Sequence, residues 1–143
     1  MPIVIGIVLA IAVGLFATLA GFDLQRAFYS TVLLVVASYY ALFAVLGGSV
    51  HALLTESGVM VVFFALAVVG FRTSMWLVVA GLLAHGLFDL VHGLLIANAG
   101  VPSNWPAFCF AYDAVAAVYL GTLLLVRSRA RDGGAGCADS AFR

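Results

Sequence analysis

Five stretches of about 20 mostly apolar residues, each long enough to cross the hydrocarbon core of a bilayer as an α-helix, account for most of this 143-residue chain. They run over residues 2–21, 27–46, 51–71, 74–97 and 106–126. In lipid every backbone N–H and C=O must be satisfied within the segment, which leaves the helix as the only economical form for such a stretch. Composition agrees. The chain is 66% hydrophobic and 8% charged, where a soluble domain is about a quarter charged. The expectation is an all-α integral membrane protein, a compact bundle of five transmembrane helices. Residues 1–128 form a single transmembrane domain, and residues 129–143 a disordered polar tail.

The breaks between the stretches support these boundaries. Phe22 to Arg26 is a short polar link. Gly47-Gly48-Ser49 separates the second stretch from the third. Arg72-Thr73-Ser74 is a tight turn in which Ser74 is placed to cap the fourth helix. Asn98 to Trp105 contains Gly100, Pro102, Ser103 and Asn104 and reads as a loop. The first stretch has no positive residues before it and is longer than the apolar region of a signal peptide, so it reads as a retained helix.

All six basic residues are Arg: Arg26, Arg72, Arg127, Arg129, Arg131 and Arg143. With five spans they fall on one side of the membrane, which the positive-inside rule makes cytoplasmic. The N-terminus then faces out and the C-terminus in, in a multi-pass protein of the cell membrane such as a bacterial inner membrane. A four-span count would scatter the arginines over both sides. No basic stripe with interleaved aromatics exists, so nucleic acid is not an expected partner; membrane lipid is. Cys109 and Cys137 fall on opposite sides and lack metal-type spacing. There is no phosphate-binding loop, dinucleotide fingerprint, nucleophile elbow or HExxH motif.

Ionisable groups inside a span are costly, and so mark candidate sites. Six occur: His51, Glu56, His85, Asp89, His92 and Asp113. At a rise of about 1.5 Å per residue, Glu56, Asp89, His92 and Asp113 lie roughly 7–12 Å below the outer ends of their helices. His85 lies deeper and His51 at the rim. His85, Asp89 and His92 stand at i, i+4 and i+7, on one helix face. Asp89 and His92, at i and i+3, have the spacing with which Glu-x-x-His supplies two ligands to one metal in di-iron bundles. Imidazole with carboxylate favours Zn or Fe over Ca or Mg. The stripe resembles, in using His and Asp within the membrane, the alkaline ceramidase and adiponectin-receptor group of seven-helix zinc hydrolases. Those chains are longer and carry a terminal His pair that this one lacks, and no activity is carried over.

Three readings of the polar set stand side by side. In the first, His51, Glu56, His85, Asp89, His92 and Asp113 supply metal ligands, and Asp89, Asp113 or Glu56 serves as general base on a lipid-like or hydrophobic small-molecule substrate. Haem held by paired histidines is a minor variant of it. In the second, the same titratable groups form the outer half of a proton-coupled transporter or channel subunit, with a homo-oligomer or partner completing the path. In the third, the set is a structural polar core of a membrane scaffold. Tyr39 and Tyr40 sit mid-span near the depth of His85, where one could hydrogen-bond into the polar set, but they, like Tyr112 and Tyr119, read first as packed aromatics; Trp76 and Trp105 read as interfacial anchors. Gly81, Gly86 and Gly93 read as close-packing positions, and Asp23 with Arg26 as a solvated pair.

Overall fold

The computed structural model describes the backbone over residues 1–140 and side chains over residues 1–131. Five long helices account for nearly all of it: α1 (Pro2–Ala20), α2 (Ala27–Leu46), α3 (Val50–Arg72), α4 (Met75–Leu95) and α5 (Trp105–Ser140). A short 3₁₀ turn, Phe22–Leu24, joins α1 to α2, and there is no strand among the described residues. All five helices are long and apolar enough to cross a membrane. The helix ends follow local chemistry. Pro2 opens α1, where its missing N–H costs nothing, and Gly21 closes it at φ 76°. The Ser49 hydroxyl accepts from the Ala52 N–H at the start of α3, a cap not anticipated from the sequence, and Ser74 accepts from the Trp76 N–H at the start of α4, as expected. The backbone of α5 continues as helix to Ser140, through most of the expected tail. Side chains from residue 132 onward, Cys137 among them, and the whole of residues 141–143 lie outside the described residues.

α2, α3, α4 and α5 share one core, centred on the fully buried Leu33, Val78 and Leu82 with Leu120 beside them. α5 lies between α4 and α1, and α3 between α2 and α4. α1 presents a buried stripe of small residues, Gly6, Ala10, Gly14 and Ala17, to α5. Small residues let helix backbones approach closely where lipid offers no hydrophobic drive. A Cβ on Gly6 would overlap the Phe108 carbonyl, and one on Gly14 would meet the Tyr119 ring at 3.2 Å. The outward faces are predominantly apolar: Ile3, Leu15, Phe16, Val61, Val62, Leu87 and Leu94 are all exposed. Apolar surface this extensive fits lipid rather than water.

The arginine end of the bundle departs from the sequence expectation. Asp23 does not form a solvated pair with Arg26. It is buried, accepts from the Thr18 hydroxyl at 2.9 Å and pairs with the Arg127 guanidinium at 3.1 Å. Arg26 instead donates to the Gly70 carbonyl at 3.1 Å. The reason is tertiary: α5 runs past the α1–α2 turn and brings Arg127 to a carboxylate 104 residues earlier. Arg26, Arg127 and Arg131 line one cavity of about 470 Å³. Asp23→Ala is therefore expected to loosen α1 from α5, lowering stability by about 1–3 kcal/mol, since it removes charge-assisted hydrogen bonds on a partly exposed partner. Thermal unfolding in detergent checks this, and an unchanged midpoint would show that the pair contributes nothing.

Candidate functional site

The buried face of α4 is a single stripe: Val78, Leu82, His85, Asp89 and His92. Its lower part is hydrocarbon and its upper part polar, because the apolar period of the helix continues while the residue types change. α5 repeats the pattern with Cys109, Asp113, Ala116 and Leu120, all buried. α4 and α5 pack closely over this length, with Asp113 Cβ only 3.3 Å from where a Cβ on Gly86 would stand. Gly86 thus performs the expected close-packing role, as does Gly81 against Leu33. Gly93 does not: nothing lies within 4 Å of a Cβ placed there.

The structure sorts the six candidate residues into two groups and an outlier. His85, Asp89 and Asp113 form the first group. One ligand atom from each lies within 4.8 Å of the others. His85 Nδ1 is 2.6 Å from Asp113 Oδ2 and 3.6 Å from Asp89 Oδ2. The three side chains are essentially shut off from solvent, and the His85 ring packs edge-on against Phe63 with centroids 4.9 Å apart. Asp89 Oδ2 and Asp113 Oδ1 have no hydrogen-bond partner among the described residues.

His92 and Glu56 form the second group. His92 Nε2 is 2.7 Å from Glu56 Oε1, so His92 turns to α3 rather than sharing an ion with Asp89 at i and i+3. The Asn98 amide donates to the same Glu56 oxygen at 2.9 Å and to the Tyr40 carbonyl at 3.0 Å. Glu56 Oε2 is buried without a partner among the described residues. His51 is the outlier. It is exposed at the first turn of α3 and lies outside the converging ligand group.

Tyr40 joins the two groups, taking the hydrogen-bonded alternative over the reading as a packed aromatic alone. Its hydroxyl donates to Asp89 Oδ1 at 2.6 Å, and its ring stacks on the His92 imidazole with centroids 3.9 Å apart and planes at 14°. Sequence placed Tyr40 near the depth of His85 but could not give the direction of its side chain. Asn98 carried no signal at all beyond being a polar loop residue. Trp105 packs against Tyr39, Phe43 and Phe108.

The charge balance of this region is one-sided. Three carboxylates face two imidazoles, and the arginines placed by the structure on the bundle sit at its other end. Even with both imidazoles protonated, one negative charge would remain buried. Burial of an unpaired charge is costly enough that a cation or added protons must offset it. Comparison with known proteins returns no match: no family model, no curated protein and no solved structure matches this chain.

Proposed function

We propose that this chain is a multi-pass membrane protein whose His85, Asp89 and Asp113 hold a divalent transition-metal ion, Zn or Fe, at a centre acting on a lipid-like or hydrophobic substrate. The observation that carries this reading is the pair of buried carboxylate oxygens, Asp89 Oδ2 and Asp113 Oδ1, left without partners beside a buried imidazole. Orphaned polar atoms of this kind point to an ion or ordered water, and one imidazole with two carboxylates is a donor set for Zn or Fe. A bound ion would supply Lewis-acid polarisation and lower the pKa of water. Glu56, outside the ligand group and held by His92 and Asn98, is then the carboxylate left to accept a proton.

Two features support the membrane setting. The outward helix faces are apolar, and the arginines gathered at one end give that end to the cytoplasm. A groove of about 720 Å³ between α1, α2 and α5, lined by residues such as Leu9, Val32, Val36, Tyr39, Cys109 and Tyr112, is of a size and polarity to take an alkyl chain. Tyr39 and Tyr112 each immediately precede a residue of the polar set, so the groove flanks α2 and α5 at the level of the centre.

One observation favours the proton-relay reading: Tyr40 is hydrogen-bonded to Asp89, His85 Nδ1 stands 3.6 Å from Asp89 Oδ2, and the same nitrogen is 2.6 Å from Asp113 Oδ2, a line of close polar contacts with one gap. It ends on hydrocarbon, since Leu33, Val78 and Leu82 fill the bundle beneath His85. Elemental analysis of the purified full chain decides between the two. Stoichiometric Zn or Fe is expected, and a metal-free protein from metal-replete cells would sink the metal reading. Tyr40→Phe is expected to weaken metal binding by about tenfold, the effect of losing a group that orients a ligand. Competition against a chromophoric chelator measures it, and unchanged affinity would remove Tyr40 from the site.

A further inference from the structure

The arginine end of the bundle carries a charge imbalance of the opposite sign to that of the polar set. Arg26, Arg127 and Arg131 line the cavity of about 470 Å³ there, and Asp23 is the one carboxylate among its described lining residues. Asp23 is already engaged, accepting from the Thr18 hydroxyl and pairing with Arg127. Guanidinium groups keep their protons in proteins, so the cavity holds positive charge that no described residue balances. Arg127 and Arg131 stand at i and i+4 on α5, beyond Leu120 and Leu124 on the same face. Like charges at that spacing repel. Arg129 lies between them in sequence and does not line the cavity.

The donors here are held in place. Arg26 is fixed by one bond, to the Gly70 carbonyl at 3.1 Å, and a guanidinium has five N–H groups, so others are left for a ligand. Residues 73–76 bring the start of α4 to the cavity, and with it the positive end of the dipole of a 21-residue helix. The Ser74 hydroxyl accepts from the Trp76 N–H and keeps its own O–H to donate. Carbonyls at the end of α3, which would repel an anion, are taken. Val69 accepts from the Thr73 N–H at 2.8 Å and the Thr73 hydroxyl at 2.7 Å, and Gly70 from Arg26. Tyr29 lines the same cavity, and its hydroxyl is buried without a partner among the described residues. An orphaned buried hydroxyl points to a ligand or ordered water.

We infer that this cavity binds a phosphate group, carried on a lipid headgroup or free in solution, with Arg26 and Arg131 as its main donors. The guanidinium fork matches phosphate oxygens in pairs, which makes arginine suited to this ligand. The rest of the lining admits an amphiphile. Met75, Trp76, Leu120 and Leu124 form an apolar wall, and Gln25 lines both this cavity and the apolar groove between α1, α2 and α5. The inference is independent of the metal centre; its lipid form rests on the membrane setting proposed above.

The test uses the full chain in a neutral detergent, titrated separately with inorganic phosphate and with short-chain phosphatidic acid, with binding read by calorimetry. Arg131→Gln, at an exposed position, and Arg26→Gln are each expected to weaken binding by about tenfold or more, the effect of losing a hydrogen bond to a charged group. Arg129→Gln makes the same charge change outside the cavity and is expected to leave binding as in wild type. Tyr29→Phe removes no hydrogen bond made in the structure. It is expected to keep the wild-type unfolding midpoint and to weaken binding by about threefold or more. Tighter binding of phosphatidic acid than of inorganic phosphate assigns the site to a lipid headgroup, and equal or weaker binding assigns it to free phosphate. Binding of neither probe overturns the site. So does an Arg129→Gln effect as large as that of Arg131→Gln, which reduces the binding to general surface charge. Zinc content is not read in this experiment, so the metal centre stands or falls separately.

Discussion

Asp113→Asn is expected to strip the buried centre of its ion while leaving the helical fold in place. The amide has the shape of the carboxylate, and its oxygen can still accept from His85 Nδ1, which lies 2.6 Å from Asp113 Oδ2. What the substitution removes is charge and one good ligand. Loss of a group that merely orients a ligand costs about 10–100-fold in affinity, so loss of a ligand should cost at least about 100-fold. Elemental analysis and circular dichroism on the same preparation measure both halves of the expectation. The sign of the stability change separates this reading from a structural polar core. In the metal-free protein three carboxylates face two imidazoles, and neutralising one relieves the excess. Metal-free Asp113→Asn is therefore expected to melt at or above metal-free wild type. A structural core built on the His85–Asp113 bond would melt lower instead, and that outcome, with no metal in wild type, would replace the metal centre by a scaffold.

Gly100→Ala is expected to be severely destabilising although it adds a single methyl group. A Cβ on Gly100 would overlap the Phe43 carbonyl and stand 2.9 Å from the Gly47 N. The facing Gly47 is tight as well, with a Cβ there 2.8 Å from the Gly100 N. Backbone meets backbone at this crossing, so no side chain can rotate away. Overpacking a well-filled site costs about 1–3 kcal/mol, occasionally more; contact between two main chains belongs at the upper end. The consequence reaches the site. The crossing holds the 96–104 connection on the end of α2, and that connection carries Asn98 to Glu56 and to the Tyr40 carbonyl. Gly100→Ala should thus lower the unfolding midpoint and release Glu56 together. Gly93→Ala, with open space around it, should do neither. Equal midpoints for the two variants would show that the connection is free to shift and does not fix Asn98.

The linear chain determined the features that depend on local pattern. Helix number and approximate limits followed from the length of the apolar stretches and from Gly21, Ser49 and Ser74 at their ends, because the cost of unsatisfied backbone in lipid acts segment by segment. The common face of His85, Asp89 and His92 followed from the helical period. The gathering of Arg26, Arg127 and Arg131 at one end followed from the alternation of five long helices joined by short links. Pairing depended instead on how each helix is rotated and which neighbour it meets. His85 with Asp113, His92 with Glu56 and Tyr40 with Asp89 join residues 28, 36 and 49 positions apart. Asp23 with Arg127 spans 104. Most of the surface of each helix is apolar, so sequence hydropathy barely distinguishes one rotation from another. Close contacts at small residues, such as Gly86 against Asp113 and Gly6 against Phe108, fix which faces meet. That packing divided one expected shell of six ligands into a His–Asp–Asp centre, a His–Glu pair beside a cavity, and an exposed histidine.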